Sequence, residues 1–253
     1  ELPTHQLTIL KYLYRFRFLS SKQLHTLLKL KSISLTNYHL QQLAILNCIG
    51  KHYSRSLGLG NQPAIYYLTS GSIPYLSDME GFDKRTIKRI YREKTRSQQF
   101  IAHALFIADF FLFAQDYSGK TTELVQFFTQ TEVASYPFFI HPLPDTYMVR
   151  KEKNGHKRRY LIEVVEDSSP RFALRKRVEE YCNYIDDRKF TEETGHDFPT
   201  LLLICPGYAS LIYLKKHISR IYEETYLEQI EIYVATREGA LSGNWKLVQA
   251  DDE

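Results

Sequence analysis

Two acidic residues stand where neighbouring strands of a sheet could bring them together. Asp145 follows Pro144 at the head of one strand-like segment, and Glu163 lies within the next, the apolar run 161–165. Carboxylates on adjacent strands can share a hard cation such as Mg²⁺ or Mn²⁺, which takes oxygen ligands. A metal held in this way can activate water for attack on a phosphate. Asp145 and Glu163 are therefore candidate catalytic and metal-binding residues.

Glu163 also has a structural interpretation. A charged side chain within a run of Leu, Ile and Val is costly unless it is paired, solvated at an edge or bound to metal. Arg175 or Lys176, on the helix that we expect next along the chain, could form an ion pair with it. Both interpretations stay open from the residues alone.

The first 77 residues predict three helices and a β-hairpin. Apolar residues recur at helical spacing in each of the three segments; Ser34 is expected to cap the third helix, and Gly50 to end it. Three helices and a hairpin, in this order, are typical of a winged helix-turn-helix, in which the third helix enters the major groove. A solvated polar helix face is the alternative.

Short hydrogen-bonding side chains on the third predicted helix are the candidates for contact with bases or phosphates. They are Ser34, Thr36, Asn37, His39 and Gln41. The predicted hairpin adds Lys51 and Arg55 as candidate phosphate contacts.

Positive charge is concentrated in the front half of the chain. The formal net charge is +4, but residues 1–120 hold 16 Lys and Arg against 7 Asp and Glu, whereas residues 121–253 hold 17 against 22. A basic half joined to an acidic half is expected when one part faces phosphate. A chance excess of solvated lysines is the alternative.

Residues 78–97 are expected to form a basic linker helix. After Lys84, only one acid, Glu93, interrupts the run of Lys and Arg. Spacing of three or four residues places a stripe of cations on one face of such a helix: Arg85, Lys88, Arg89 and Arg92. Because like charges on one face repel each other, the stripe favours contact with a DNA backbone, and a solvated linker helix is the alternative.

Residues 98–253 predict an α/β domain whose elements follow the order αβββαβ. The segments are a helix at 98–116, strands at 123–133, 145–150 and 159–165, a helix at 172–187, a strand at 200–205, a helix at 209–226 and a strand at 231–235. This order is that of the restriction-endonuclease-like core. We therefore predict an α/β (α+β) protein with three parts, residues 1–77, 78–97 and 98–253.

Cysteine usage and apolar patterns narrow the class of protein. Cys48, Cys182 and Cys205 are far apart, which indicates neither a disulfide framework nor a zinc ribbon and favours a reducing compartment. The longest apolar stretch, 101–114, is too short to span a bilayer, so we expect a cytoplasmic protein without a membrane partner. The sequence contains no His-x-His pair, P-loop, dinucleotide fingerprint or nucleophile elbow.

Five segments resemble the replication-relaxation family of bacterial plasmids and integrative elements. HPLPDTY (141–147), YLIEVVEDS (160–168) and KRVEEY (176–181) resemble its second domain. IYYLTSG (65–71) is similar to the end of its wing, and QFIAH (99–103) to the helix that opens the second domain. The resemblance covers residues 5 to about 190 and implies a winged helix followed by a domain similar to PD-(D/E)XK nucleases.

The same resemblance implies Asp145 and Glu163 as the acids and Lys176 as a migrated cation, with Mg²⁺ or Mn²⁺ as the cofactor if the domain is catalytic. Val165 departs from the pattern, because nucleases of this class have Glu-x-Lys and the family commonly has an acid there. A valine can neither orient water nor hold a metal.

The main interpretation is a DNA-binding protein of a plasmid or mobile element, acting in replication, transfer or transcription control, with a degenerate nuclease-like domain. A metal-dependent endonuclease or nickase using Asp145 and Glu163 is the alternative, and a protein-interaction platform without a DNA role is a third. Expected partners are double-stranded DNA, replication or transfer proteins, and a second copy of the chain contacted through the helix at 211–226.

Overall fold

The computed structural model describes residues 2–52, 63–77, 79, 82–118, 122–224 and 230–249 of a mixed α+β protein. The chain divides into two compact units, residues 1–112 and 113–253. This division falls inside a long helix, whereas the sequence suggested a boundary at residue 97. The first part of that helix belongs to the first unit because Ile101 and Ala104 pack with Phe18 and Tyr67.

The first unit opens with three helices and three short strands. They are α1 (Thr4–Phe16), β1 (Phe18–Ser20), α2 (Ser21–Leu28), α3 (Ile33–Ile45), β2 (Ile49–His52) and β3 (Ile65–Leu68). β3 lies between the other two strands and is antiparallel to both. The three predicted helices and the two hairpin strands are confirmed. β1 was not predicted, because only three residues, all buried, form this strand between two helices.

Side-chain caps begin two of these helices. Ser20 Oγ accepts from the backbone N–H of Gln23 at 3.1 Å, and Gln23 Oε1 accepts from the backbone N–H of Ser20 at 2.9 Å, which forms a capping box at α2. At α3 the cap is Ser32, whose Oγ accepts from the backbone N–H of Leu35 at 3.3 Å. The predicted cap, Ser34, is instead the second residue of the helix.

Gly50 lies in the sheet and does not end α3, as the sequence had suggested. The helix ends at Ile45, and Gly50 lies in β2 opposite Tyr67 of β3. A Cβ atom at position 50 would overlap the Tyr67 ring. Only glycine therefore allows the tyrosine to lie across the strand.

The segment after β3 is not the single linker helix that the sequence suggested. It contains α4 (Ile73–Leu76), α5 (Lys84–Lys88) and a 3₁₀ helix (Ile90–Thr95) before the long helix α6 (Gln98–Ser118). The backbone leaves α-helical geometry at Arg89, where φ is −95° and ψ is 0°. The cations after Lys84 therefore do not follow one continuous α-helical face.

The second unit is built on a six-stranded mixed sheet, in the order β4-β5-β6-β7-β8-β9. The strands are β4 (Thr122–Thr129), β5 (Thr146–Glu152), β6 (Lys157–Val164), β7 (Thr200–Cys205), β8 (Ile232–Thr236) and β9 (Lys246–Leu247). β4, β5 and β6 form an antiparallel meander, β6, β7 and β8 run parallel, and β9 pairs antiparallel with β8. The helices are α7 (Gln130–Val133), α8 (Arg171–Asp186), α9 (Lys189–Thr194), α10 (Tyr208–Glu224) and α11 (Arg237–Ser242).

Strand β7 lies at the centre of this unit's core. Residues 201–205 are all buried, which confirms the central strand expected from the apolar run. α8 contributes Val178, Tyr181 and Tyr184 to the core, and α10 contributes Leu211, Leu214 and Ile218. α10 thus directs these three residues inward, whereas Ile212 on the same helix is exposed. Contact between copies through this helix stays a prediction.

α6 is, within the described part of the chain, the one helix long and apolar enough to cross a membrane by length and composition alone. α6 is longer than the apolar stretch 101–114, so the expectation that this segment is too short to span a bilayer does not hold for the whole helix. Its residues Ile101 and Ala104 are buried in the first unit. A buried core helix of a globular protein can have the same length and apolar composition as a membrane-spanning helix.

Candidate functional site

The two candidate acids lie at the same end of adjacent strands in the second unit. The backbone N–H of Asp145, just before β5, donates to the carbonyl of Ile162 in β6 at 3.1 Å. Because β5 and β6 are antiparallel, the start of one meets the end of the other, and Glu163 follows Ile162 directly. The sequence-based expectation that these acids come together is consistent with this register.

Asp145 holds the end of strand β6. Its Oδ2 accepts a hydrogen bond from the backbone N–H of Val164 at 2.7 Å. A carboxylate that accepts a backbone N–H in this way forms a charge-assisted hydrogen bond, which is stronger than a neutral one. The side chain therefore has a structural task between the strands.

Glu163 is held by two residues of α8. Its Oε1 accepts from Nε of Arg177 at 3.1 Å, from Nη2 of the same guanidinium and from the hydroxyl of Tyr181. The Glu163 and Arg177 side chains are only 15% and 17% exposed. A buried carboxylate in a strand thus has its charge partner on the helix that covers it.

The Arg177 guanidinium has further partners on three sides. Nη2 donates to the carbonyl of Pro142 at 2.8 Å, Nη1 donates to Glu180 Oε2 at 3.3 Å, and the guanidinium carbon lies 4.6 Å from the centre of the Tyr181 ring. Planar guanidinium groups suit this combination of hydrogen bonding and ring stacking better than an ammonium group does.

Burial raises the pKa of Glu163 to about 7, and the nearby Asp145 carboxylate adds to the rise. Arg177 and Tyr181 act in the opposite direction, because they bind the ionised carboxylate. Burial lowers the pKa of Arg177, but the Glu163 carboxylate more than offsets this effect and holds the pKa above its ordinary value. The guanidinium is therefore charged, and the site carries two carboxylates beside one fixed cation.

Lys176, the cation expected beside the acids, is not in contact with Glu163. Its side chain is 73% exposed, and its Nζ lies 3.9 Å from Glu180 Oε1. The expected ion pair is on the predicted helix but on a different residue, since Arg175 and Lys176 face solvent and Arg177 faces the sheet. Arg177 and Tyr181 were missed; their spacing of four residues, which puts both on one helix face, was the available signal.

The donor set is a poor match for Mg²⁺ or Mn²⁺. Among the described residues no three His, Cys, Asp or Glu side chains are grouped as metal ligands. Glu163 Oε1 is already bound by Arg177 and Tyr181, so a metal would have to compete with a guanidinium. Val165, where a lysine or an acid was expected from the sequence, is half-buried against the core. These residues therefore do not fit a catalytic metal centre.

In the first unit, α3 presents a narrow exposed stripe. Ser34, Asn37, Tyr38 and Gln41 follow one another at intervals of three, one and three residues and are all exposed. This spacing places them on one face of the helix. Three of the four are among the residues expected to contact DNA.

Two of the expected DNA contacts on α3 are instead interior residues. Thr36 is fully buried, with its hydroxyl 3.1 Å from Nδ1 of His25. His39 is 8% exposed, and burial, followed by the charge of His5, lowers its pKa. Both face the helices behind α3, so neither is available to a duplex in this arrangement.

The remaining expected phosphate contacts differ in what the structure describes. Lys51 is exposed at the end of β2, with its Nζ 5.8 Å from the centre of the Tyr66 ring. Lys88, Arg89 and Arg92 are exposed. Arg85 lies in α5, but its side chain, like all of Arg55, falls outside the described structure.

The one acid inside the cationic run does not neutralise that exposed charge. Glu93 is 6% exposed and forms an ion pair with Arg17, and Arg96 Nε lies 3.8 Å from the same carboxylate oxygen. Its negative charge is therefore paired with Arg17 and Arg96 within the first unit. Lys88 and Arg89 keep their positive charge toward solvent.

Comparison with known proteins supplies one match. The family model described as replication-relaxation matches residues 10–200, which spans both units. A comparison with curated proteins found no match. Because the family model covers most of the chain, including α3, the acids and α8, this protein belongs to the replication-relaxation family.

Proposed function

We propose that this protein binds double-stranded DNA through a winged helix-turn-helix in its first unit. The DNA would be that of a plasmid or mobile element, and the role would lie in its replication, transfer or transcription control. We further infer that the second unit has a restriction-endonuclease-like arrangement that has lost catalysis. Membership of the replication-relaxation family supports the host process, and the charge and helix order of the first unit support the mode of binding.

The charge of residues 2–77, the front part of the first unit, is the observation that carries the proposal. Residues 2–77 contain eight Lys and Arg and no Asp or Glu. A segment with this composition repels itself in isolation but is stabilised along a polyanion, where each phosphate contact releases counterions. A basic balance of this kind is the electrostatic footprint expected of a segment that binds nucleic acid.

The position of α3 supports major-groove binding. α2 and α3 are joined by a short turn from Lys29 to Ser32, and β2 and β3 form the hairpin that follows, which is the order of helix-turn-helix and wing. α3 carries no charged residue, so its N-terminus retains the positive end of the helix dipole. Ser34, Asn37 and Gln41 would meet base edges or phosphates, with Lys51 on the adjacent backbone.

The sheet of the second unit supports the nuclease-like interpretation. An antiparallel meander, a helix and a parallel fourth strand, here β4 to β6, α8 and β7, is the order of the restriction-endonuclease-like core. Asp145 and Glu163 correspond to the two acids of that core. Arg177 supplies the fixed positive charge beside them. The two acids would then stabilise the fold, and no free pair of carboxylates would remain to bind a catalytic metal.

Duplex binding at increasing salt tests the first half of the proposal. Fluorescence anisotropy on a short mixed-sequence duplex should give an affinity that falls by roughly a hundredfold or more between low and moderate salt, as expected for several phosphate contacts. An affinity that hardly changes with salt would contradict a phosphate-binding surface. A gel shift on the gene's own upstream DNA would then locate a specific site.

Incubation of supercoiled plasmid with Mg²⁺ or Mn²⁺ tests the second half. We expect no nicking above that of a Glu163→Gln variant. Nicking that disappears in Asp145→Ala would establish the endonuclease alternative. Residence in the cytoplasm, replication or transfer proteins as partners, and a homodimer on an inverted repeat all belong to the proposal, and light scattering at assay concentration tests the last of these.

A further inference from the structure

An aromatic cavity of about 330 Å³ opens in the second unit, away from the acid pair. It lies on the face of the sheet that carries Tyr147 and Val149 of β5. Its floor consists of buried rings, since Phe139 is 2%, Tyr147 8% and Phe190 2% exposed. A cavity of this size lies at the lower end of the range for small-ligand sites.

The wall of the cavity is formed by rings that remain accessible. Phe128 and Tyr136 are stacked, with centroids 5.5 Å apart and ring planes at 15°, and Tyr136 is 37% exposed. Phe138 continues the wall, 5.6 Å from Tyr136. These rings expose flat π-surface beside the opening, where a planar ligand could stack.

Basic side chains line the other side of the opening. Lys157, Arg159 and His196 all border the cavity, with Lys157 and His196 exposed and Arg159 half-buried. Arg159 is opposite Val149 in the sheet, and its Nη1 donates to the carbonyl of Lys157 at 3.4 Å. Burial raises the pKa of Tyr147, and the nearby charge of Arg159 acts in the opposite direction. Within the described residues, Lys157 and Arg159 form no ion pair with a carboxylate. Their positive charge is therefore available to an anionic ligand.

We infer that this cavity binds one unpaired nucleotide, with the base against the aromatic wall and the phosphate against Arg159 and Lys157. Every base has a π-face that stacks on aromatic side chains, and an arginine fork matches phosphate geometry. A purely apolar ligand would leave the two cations without a partner. The inference deepens the proposed DNA-binding function and rests on it for the source of the nucleotide.

Two sources could supply the same chemistry. The nucleotide could belong to a single-stranded segment, as arises when a duplex is opened for replication, or it could be a free mononucleotide. A single-stranded oligothymidine and thymidine 5′-monophosphate present the same base and differ in the attached chain. Binding of each to the full-length protein separates the two sources.

Arg159→Ala and Tyr136→Ala test the cavity, with Arg158→Ala as the matched control. Arg158 is the neighbour of Arg159 in β6, points to the other face of the sheet and bonds Glu152 Oε1 through Nε at 2.8 Å. Both arginine variants lose one charge from the same strand, but only one loses it from the cavity. Thermal unfolding of each variant confirms that it is folded before binding is compared.

We expect Arg159→Ala and Tyr136→Ala each to weaken oligothymidine binding by about tenfold, and Arg158→Ala to leave it within about twofold. If the monophosphate binds in the same Arg159-dependent way and the oligonucleotide does not, the free nucleotide is the ligand. Equal losses for Arg158→Ala and Arg159→Ala would overturn the inference, because they would indicate unspecific attraction. So would a wild-type protein that binds neither probe.

Duplex binding in the same variants keeps this inference separate from the proposed function. Arg159→Ala should leave duplex affinity unchanged, because α3 and its neighbouring cations lie elsewhere in the chain. A wild-type protein that binds the single strand but no duplex would overturn the proposed function and leave the cavity assignment intact. The reverse result would overturn only the cavity.

Discussion

Arg177 donates two hydrogen bonds from one guanidinium to the same carboxylate oxygen of Glu163. The pair is largely buried, and Tyr181 adds a third donor to that oxygen. Breaking a buried ion pair by removing one partner leaves the other as an uncompensated charge, which is more costly than loss of an exposed pair. The acid end of the second unit therefore depends on Arg177.

Arg177→Ala should destabilise the protein by about 3 kcal/mol at about pH 8, where Glu163 is ionised. Urea unfolding followed by circular dichroism measures the change in the free energy of unfolding. Lys176→Ala is the control: its side chain is 73% exposed and its ion pair is at the surface, so a change below about 0.5 kcal/mol is expected. Equal effects of the two variants would contradict a buried Glu163–Arg177 pair.

The stability of the second unit should fall as pH rises from about 5 to about 8. The pKa of Glu163 is raised from 4.5 to about 7 in the folded protein. Between these values the folded state binds more protons than the unfolded state, so each increase in pH favours unfolding. The contribution of Glu163 is thus present below pH 4.5 and lost through about pH 7.

Urea unfolding at a series of pH values measures this dependence in the wild type and in Glu163→Gln. The expected change across the window is on the order of 1–3 kcal/mol. The glutamine variant cannot titrate at this position and should show a flatter profile. A wild-type profile as flat as that of the glutamine variant would contradict the raised pKa and show that Arg177 holds the carboxyl ionised throughout this window.

Thr36→Val and Asn37→Ala should have opposite effects although the two residues are adjacent on α3. Thr36 is buried and its hydroxyl contacts His25, so its loss should cost about 1 kcal/mol of stability and leave duplex affinity unchanged. Asn37 is exposed, so its loss should leave stability unchanged and weaken duplex binding by roughly fivefold to a hundredfold. Chemical unfolding and anisotropy on the two variants separate the cases; weaker binding in both would indicate an altered helix.

Lys88→Ala should reduce the salt dependence of duplex binding. If Lys88 contacts one phosphate, the slope of log affinity against log salt should become shallower by about 0.9. Lys215→Ala, on the exposed face of α10, removes an equal charge and should leave the slope unchanged. An identical slope for both variants would exclude Lys88 from the phosphate-binding surface.

The sequence could predict which segments form helices and strands, but not how their ends are arranged. The apolar run at 201–204 determines a buried central strand, because such a run can only be covered on both faces. In contrast, the stripe expected after Lys84 assumed one helix, and a change to 3₁₀ geometry at Arg89 breaks it. Local propensity is weak at such points, and packing against the rest of the unit decides them.

The residue types of the candidate site were predictable from the sequence, but the residue that pairs with Glu163 was not. A buried Glu163 required a cation, and helix α8 was the expected source. Whether that cation is Lys176 or Arg177 depends on a rotation of about 100° about the helix axis, which one residue of error in the helix phase produces. The aromatic cavity could not be foreseen, because its rings come from β4, β5, α9 and the segment before β5, which the sequence keeps far apart.

The hydrogen bond from Val164 to Asp145 has a bearing on how relatives of this protein are interpreted. An aspartate that ties down the end of a strand is useful to the fold whether or not a metal ever binds beside it. Selection on folding alone would then be enough to preserve a Pro-Asp pair in a relative that hydrolyses nothing. Survival of that motif in another sequence is consequently no sign of activity, whereas the residue two positions after the second acid is more informative.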